Sequence, residues 1–267
     1  KDNEALRDAA ENGHLAVVVF LRETFQLTAD DARSHQNSAL RLACKGGHLE
    51  VVRCLHEKFG LDAKDARAEN NEPLRNACAA GSLPTARFLA ETFALSEKDA
   101  RDRTNQALRL ACDGGHLDVL RWLRATFRLT TEDARAGSNE ALRSACSRGH
   151  LSVVVFLKES FGLTIEDCQG LNTAPLRLAC AHGHLAVVQY LHTAFGLSER
   201  EVCEWNNEAV RFACRHGHVD VVRYLRSNFN LQFDAGRLDK EARVHWDAAK
   251  PSVYAARRSS VSRRESD

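Results

Sequence analysis

The chain has 267 residues, of which 44% are hydrophobic and 27% are charged, close to the usage of ordinary globular proteins. Lysine and arginine together number 37 and aspartate and glutamate 36, a balance that disfavours a strongly basic nucleic-acid-binding domain or an acidic, solvating one. No apolar run approaches the roughly 18 residues of a membrane span, and the charged start is unlike a signal peptide, so we expect no membrane contact.

A pattern of about 34 residues recurs along almost the whole chain without an insertion. At residues 39–55 it reads A-L-R-L-A-C-K-G-G-H-L-E-V-V-R-C-L. A unit of this size cannot bury its apolar face alone, so neighbouring repeats are predicted to stack into a solenoid. Repeats 1 to 7 begin at residues 3, 37, 71, 105, 139, 173 and 207.

Each repeat is predicted to hold three helices and no strand, so the fold class is all-α. In repeat 2, Leu40 and Cys44 share a helical face that ends at Gly47, and Val52 and Leu55 mark a second, antiparallel helix. A third, short helix should follow, because an N-cap residue precedes an acid by three positions, close to a capping box. The pairs are Thr28/Asp31, Asp62/Asp65, Ser96/Asp99, Thr130/Asp133, Thr164/Asp167 and Ser198/Glu201.

Beyond repeat 7 the pattern decays, and one amphipathic helix near residues 237–249 is predicted to close the stack. The repeat solenoid should therefore span residues 1–249, and the tail, 250–267, should be disordered and basic, with a net charge of +3. The tail contains R-R-x-S twice, ending at Ser260 and Ser266, which resembles the target of basic-directed protein kinases. These serines are candidate phosphorylation sites, and the alternative is a plain arginine-rich linker.

The motif at residues 39–55 resembles the ankyrin-repeat consensus, T-P-L-H-x-A-A-x-x-G-H-x-x-V-V-x-x-L. Pro73 and Pro175 occupy the proline position of the family. The chain departs from the consensus in placing arginine at the histidine position and in lacking the glycine-rich β-hairpin between repeats. The segment L-T-x-x-D-A-R takes the place of the hairpin, so the projecting fingers are predicted to be helical. Tetratricopeptide repeats have the same period, but their tryptophan and L-G signals are absent.

Two aromatic positions recur at helical spacing and are interpreted as core packing rather than as a platform on which bases stack. One holds Phe25, Phe59, Phe93, Phe127, Phe161, Phe195 and Phe229. The other holds Phe20, Cys54, Phe88, Trp122, Phe156, Tyr190 and Tyr224.

Six cysteines occupy one position of the repeat, where they are predicted to be small buried residues, too far apart for disulfides. No pair has the spacing of a zinc site. Free thiols indicate a reducing compartment, the cytoplasm or the nucleus. The six are Cys44, Cys78, Cys112, Cys146, Cys180 and Cys214.

The histidine of the G-H dipeptide is predicted to bond to a loop or a helix end. Repeats 6 and 7 double it, which places His182, His184, His216 and His218 along one edge. A metal could bind there adventitiously, but no carboxylate or cysteine accompanies them at ligand spacing, so we predict no metal site.

Arginine recurs beside the core leucine of every repeat. As a ladder it could grip phosphates, which is the basis of the alternative function, a nucleic-acid-binding helical solenoid. We favour a structural role, in which the arginines bond between repeats to carbonyls or to acids such as Asp31, Asp65, Asp99 and Asp133. The ladder consists of Arg7, Arg41, Arg75, Arg109, Arg143, Arg177 and Arg211.

No phosphate loop, nucleophile elbow or isolated Cys/His pair is present, so we predict no enzyme activity and no cofactor. In ankyrin-repeat proteins the first helices and the fingers line a concave groove that binds other proteins. The resemblance therefore implies a protein-binding scaffold, adaptor or regulatory module, although it does not name the partner.

The candidate contact residues are positions that vary while their neighbours repeat. For most of them the alternative is a solvated surface without a role. Trp205 has its own alternative, packing on Phe195 or Phe212. The candidates are His35, Glu69, Arg103, Arg148, Leu171, His182, Trp205 and His216.

Overall fold

The structure, a computed structural model, describes residues 3–231, 235, 238 and 240–249, without the side chain of Asn206. The regular secondary structure of these residues is helical throughout, which confirms the all-α fold class. None of their helices is both long enough and apolar enough to cross a membrane. The predicted tail, with Ser260 and Ser266, lies outside the described residues.

Seventeen α-helices follow one another along the described residues. Those of the first four repeats are α1 (Glu4–Glu11), α2 (Leu15–Phe25), α3 (Ala29–Lys45), α4 (Leu49–Glu57), α5 (Ala63–Ala66), α6 (Ala68–Ala79), α7 (Leu83–Thr92), α8 (Glu97–Ala100), α9 (Asp102–Gly114) and α10 (Leu117–Phe127). The later ones are α11 (Thr131–Arg148), α12 (Leu151–Phe161), α13 (Ile165–Ala181), α14 (Leu185–Phe195), α15 (Glu199–Arg215), α16 (Val219–Asn228) and α17 (Lys240–Ala248).

The first and second helices of a repeat are joined by a tight turn at the glycine of the G-H dipeptide. At Gly47 the backbone has a φ of +71°, which glycine adopts without steric cost. The amide of His48 then donates to the carbonyl of Ala43 at 2.9 Å, and the chain enters α4 at Leu49. The predicted helix boundary at this glycine is confirmed.

The third helix begins at a capping box, as predicted. In repeat 2, Asp62 accepts from the amide of Asp65, and the Asp65 carboxylate accepts from the amide of Asp62 at 2.8 Å. The same reciprocal pair begins α3, α8, α13 and α15. In α5 and α8 this third helix is four residues long, whereas in α3, α13 and α15 it continues, across residues of left-handed backbone, into the first helix of the next repeat.

The described residues divide by their contacts into two compact units, within residues 1–142 with 159–162 and within 143–158 with 163–267. In the first unit the first helices of successive repeats pack side by side, α1 on α3, α3 on α6 and α6 on α9. In the second unit α13 packs on α15, and α17 covers α15 and α16. Each unit is thus a stack of helical repeats. That residues 1–249 form a single domain stays a prediction.

The aromatic stripe is buried in repeats 2 to 7 at the position of Phe127, as predicted. In repeat 1 the prediction is wrong, because Phe20 and Phe25 are both exposed. These two rings contact each other edge to face, with centroids 6.3 Å apart. A periodic pattern does not show this difference, because the buried environment comes from a neighbouring repeat.

Helix α17 lies within the range predicted for a capping helix. Its His245 contacts the carbonyl of Cys214 through Nδ1 at 2.9 Å, and its Trp246 ring lies 4.1 Å from the guanidinium carbon of Arg226. Ala242 faces inward and is buried. The open side of repeat 7 is covered by this helix.

Candidate functional site

The tip of each finger, which follows the short third helix, is a turn of left-handed backbone and is not helical. In the turn after repeat 2, Glu69, Asn70 and Asn71 have φ values of 51°, 57° and 58°. Residues other than glycine adopt this conformation at a cost of roughly 1–2 kcal/mol each, least for asparagine. The prediction of helical fingers is therefore correct for the short third helix and wrong for the tip that follows it.

The arginine ladder fixes these tips. Arg41 donates from Nε to the carbonyl of Gln36 at 3.0 Å and from Nη2 to that of His35 at 3.2 Å. Its Nη1 binds Glu72 of the next repeat at 2.7 Å. Arg109 makes the corresponding bonds, and Arg177 binds the Leu171 carbonyl and Glu208. The structural interpretation of the ladder is supported by these contacts.

The predicted acidic partners of this ladder are wrong. Asp65, Asp99 and Asp133 instead bind a second set of arginines, at the end of each D-A-R motif. Arg67 holds Asp99 with two parallel bonds, Nε to Oδ1 at 3.0 Å and Nη2 to Oδ2 at 3.1 Å. Asp31 binds Asn3 and Thr28. The recurrence of D-A-R at the same position of repeats 1 to 4 was the available signal for this second ladder.

Two of the capping-box carboxylates that are clamped in this way have a lowered pKa, which favours their charged form. Burial raises the pKa of Asp99, but hydrogen bonds from the Ser96 amide and from Arg67 outweigh it, so the pKa lies below the ordinary value. Burial likewise acts to raise the pKa of Asp133, and the bonds from Arg101 and Thr130 lower it by more. The finger bases are therefore rigid, charge-paired supports for the tips.

The finger-tip candidates differ in exposure. His35 and Arg103 are exposed, and Glu69 is half-buried. Leu171 is 51% exposed and Trp205 is 62% exposed. Trp205 is therefore not buried against Phe195 or Phe212, and its role as a partner contact stays a prediction.

The candidates at the ends of the first helices are also exposed, namely Arg148, His182 and His216. His182 and His216 contact the carbonyls one turn earlier in their own helices through Nδ1, at 3.0 and 2.9 Å. Because a carbonyl only accepts, Nδ1 is the protonated nitrogen, and Nε2 of each ring is an acceptor when neutral. Each ring lies nearly parallel to the G-H histidine of its own repeat.

The histidine of the G-H dipeptide connects repeats, which confirms its predicted role. His184 reaches the carbonyl of Ser147 through Nε2 at 2.9 Å, and His218 reaches that of Ala181 at 2.9 Å. Burial lowers the pKa of His184. Within the residues that the structure describes, no group of three or more His, Cys, Asp or Glu side chains is arranged to hold a metal.

The six repeated cysteines are buried and unpaired, as predicted. Burial raises the pKa of the Cys214 thiol to about 12 and raises that of the other five as well. Thiols in this state are protonated and unreactive at neutral pH. They act as small apolar residues between the helices.

Repeat equivalence places like candidates of the second unit in adjacent repeats. Leu171 and Trp205 occupy the same tip position of adjacent repeats, as His182 and His216 occupy the same helix-end position. Leu178 and Phe212, which sequence reasoning missed, are half-buried on the same first helices. In the first unit their counterpart Leu42 lines a cavity of about 520 Å³ beside the tip residue His35, so this helix position faces the tips.

A family model described as "Ankyrin repeats (3 copies)" matches residues 6–102, 40–133 and 142–237. The chain belongs to the ankyrin-repeat family. It is similar in fold to the crystal structure of the human ASB11 ankyrin repeat domain, with a TM-score of 0.52 and 22% identity over 76% of this chain and 95% of that one. No curated protein matches the sequence. Ankyrin-repeat domains generally serve as protein–protein interaction modules.

Proposed function

We propose that this ankyrin-repeat protein is a scaffold, adaptor or regulatory module that binds a protein partner through the finger tips and first helices of its second unit. The observation that carries the proposal is the pair of exposed apolar side chains, Leu171 and Trp205, at equivalent tips of adjacent repeats. Tryptophan is among the residues most enriched in interface hot spots, and an exposed pair is unusual on a polar surface.

The tip that carries Leu171 is held in place before any partner arrives. Arg177 binds the Leu171 carbonyl and Glu208, so the left-handed turn is fixed to the next repeat. A rigid anchor loses less conformational entropy on binding than a flexible one does. His182 and His216 add exposed polar groups at the other end of the same first helices, and in this proposal they form part of the polar rim of the interface.

The finger tips of the first unit are polar or charged, with His35, Glu69 and Arg103 at the corresponding positions. They support specificity rather than affinity in this proposal. The alternative of a nucleic-acid-binding solenoid is not supported by the arginine ladder, because Arg41, Arg109 and Arg177 are already bonded to tip carbonyls and glutamates.

The experiment compares capture of proteins from an extract of the source organism by the native chain, Trp205→Ala and Leu171→Ala. Val244→Ala is the matched control, because Val244 is equally exposed but lies on α17. For a partner captured by the native chain, Trp205→Ala should cost about 2 kcal/mol, roughly a 30-fold rise in Kd, with the thermal transition unmoved. Equal affinity of the native chain and both tip variants would contradict the proposal.

Retention on heparin and on RNA tests the alternative. Binding to either that weakens steeply with salt and disappears when ladder arginines are replaced would favour the nucleic-acid function.

A further inference from the structure

The arginine ladder has a glutamate partner in alternate repeats. In repeats 2, 4 and 6 the Nη1 atom of Arg41, of Arg109 or of Arg177 binds a glutamate at the second position of the following repeat. After repeats 1, 3, 5 and 7 the corresponding residues are Ser38, Gln106, Ala174 and Ala242. The chain therefore shows that a carboxylate is the group that this guanidinium binds, and it omits that carboxylate at every second junction.

Arg211, the last arginine of the ladder, is the clearest case of the omission. Ala242 of α17 stands in the place of the glutamate and is 1% exposed. Arg211 is half-buried, and it makes no hydrogen bond or ion pair with any residue that the structure describes. Arg75 also lacks the glutamate, but it is 6% exposed, and its unpartnered Nη1 is closed off from solvent. Arg211 is therefore a partly dehydrated cation that an outside carboxylate can reach and pair with.

The geometry of the repeat brings Arg211 to the finger tip that carries Trp205. An arginine of the ladder bonds to the carbonyl six residues before it, as Arg177 does to that of Leu171 at 3.2 Å. The same bond recurs in three repeats of the first unit. Trp205 stands at this place before Arg211, and Phe212 follows directly, half-buried on α15. A cation and exposed apolar side chains therefore share one side of this finger and its helix.

The neighbouring charges leave that cation without an acidic partner. Glu208 is bound to Arg177, and Glu204 forms no ion pair with Arg211 among the described residues. One turn further along α15, the exposed Arg215 adds positive charge. The field beside Trp205 therefore favours an acidic group over a basic one.

We propose that the partner of the second unit presents a segment in which an aspartate or glutamate accompanies a large apolar side chain. The apolar side chain packs on Leu171 and Trp205, and the carboxylate accepts from the guanidinium of Arg211. This inference rests on the proposed function and specifies the class of partner segment for that same site. The bond between Arg177 and Glu208 is the model of the contact, since the partner's carboxylate takes the place that this glutamate has one repeat earlier.

The division of labour between the two contacts follows from their physics. Burial of an exposed tryptophan supplies affinity, because such residues dominate interface energies. Pairing of the guanidinium supplies selectivity, because a basic side chain at the same place would be repelled and a neutral one would leave the cation unpaired.

The test selects displayed random peptides of about a dozen residues, in parallel, on the native chain, Trp205→Ala and Arg211→Gln. Arg200→Gln is the matched control, because Arg200 lies in the same finger and is exposed. Thermal unfolding of each variant establishes that the repeats remain folded. The peptide most enriched on the native chain is then synthesised, with its acidic residue and with the corresponding amide, and its Kd is measured for every variant.

Peptides enriched on the native chain should carry an acid at a fixed distance from an aromatic or large aliphatic residue. For such a peptide, Arg211→Gln should raise the Kd about tenfold, and replacement of the peptide's acid by the amide should raise it by a similar factor. The two changes together should have no larger effect than either alone, and Arg200→Gln should have none. Arg211→Lys keeps the charge and should retain a preference for the acid over the amide, which is the comparison to use if Arg211→Gln lowers the thermal midpoint.

The outcomes separate this inference from the proposed function. Peptides that need Trp205 but neither Arg211 nor an acid would overturn the inference and leave the proposed function standing. Equal enrichment on the native chain and Trp205→Ala, or no enrichment at all, would overturn both. A dimer of the chain that Trp205→Ala dissociates would show that a second copy occupies the site. Binding of a random-sequence oligonucleotide that Arg211→Gln abolishes would show that a nucleic acid does, and either result contradicts the inference.

Discussion

Repeats 1 and 4 have nearly the same pattern and opposite surroundings. Phe127 in repeat 4 is 1% exposed, whereas Phe25 at the same position of repeat 1 is 62% exposed. Val119 and Val17 differ in the same direction. The difference shows that the motif encodes the junction between two repeats rather than the core of one, so each repeat is stabilised mainly by its neighbours.

The largest effect expected from this comparison is at the aromatic position. Phe127→Ala leaves a cavity in a packed junction and should lower the free energy of unfolding by about 3–5 kcal/mol. Phe25→Ala removes an exposed ring and should cost less than about 1 kcal/mol. Urea denaturation followed by circular dichroism measures both. Equal losses for the two variants would show that repeat 1 is packed as tightly as repeat 4.

Loss of the capping-box carboxylate should also lower the free energy of unfolding more in a later repeat than in repeat 1, but the difference should be smaller than at the aromatic position. Asp31→Ala removes the cap and a bond from Asn3 but leaves no arginine unpaired, at a cost of about 1 kcal/mol. Asp99→Ala removes the cap and leaves Arg67 without its bidentate partner, so we expect a loss of about 2 kcal/mol after allowance for the partial exposure of that arginine. Equal midpoints of unfolding for the two variants would contradict the predicted difference between Asp31 and Asp99.

The pH dependence of stability follows from the clamped carboxylates. Because the pKa of Asp133 is lowered in the folded chain, its contribution to stability is complete above the ordinary value of 3.8 and is lost as the pH falls through the lower, folded-state pKa. Asp133→Asn should therefore flatten the decline of the urea midpoint between about pH 5 and pH 3. Asp30→Asn is the control, because the Asp30 side chain is 95% exposed. A decline equally steep in Asp133→Asn and the native chain would contradict the assignment.

The smallest expected effect is an increase in the free energy of unfolding. Arg41 and Arg109 each bind a glutamate of the next repeat, but Arg75 is buried, and glutamine, Gln106, occupies the corresponding place. Burial lowers the pKa of Arg75, and the neighbouring Arg103 adds to the effect. Gln106→Glu should restore the pair and raise the free energy of unfolding by about 0.5–1 kcal/mol, while Glu72→Gln should lower it by a similar amount. A lower midpoint for Gln106→Glu would exclude this pairing.

The sequence was sufficient to predict the repeat, its helix pair and its capping boxes, because these signals are local and recur from one repeat to the next. It missed the partner of Arg41 because Asp65 and Glu72 are both acids that follow it along the chain, and only the fold decides which one reaches the guanidinium. It also missed the left-handed tips. The asparagines Asn37, Asn71, Asn105 and Asn139, which tolerate positive φ, were the available signal.

The candidate site was predicted less completely than the fold. Variation among repeats pointed to Trp205 and Leu171, but pattern alone left Trp205 equally able to pack on Phe195, because a tip residue has no fixed direction in a sequence. Leu178 and Phe212 were missed because an apolar residue on a helix is usually assigned to the core. Their half-buried state becomes visible only when the stacked first helices are seen together.

Helix α17 has a consequence for how such a gene can change in length. Its contacts with repeat 7 include two residues, Gly217 and Arg226, and the carbonyl of Cys214. Repeat 4 carries the same two residues at Gly115 and Arg124. A duplication or deletion of whole repeats upstream of α17 that left such a repeat last would still present the surface that the helix covers. We therefore expect that the number of repeats can change while the same terminal helix, unaltered, still closes the array.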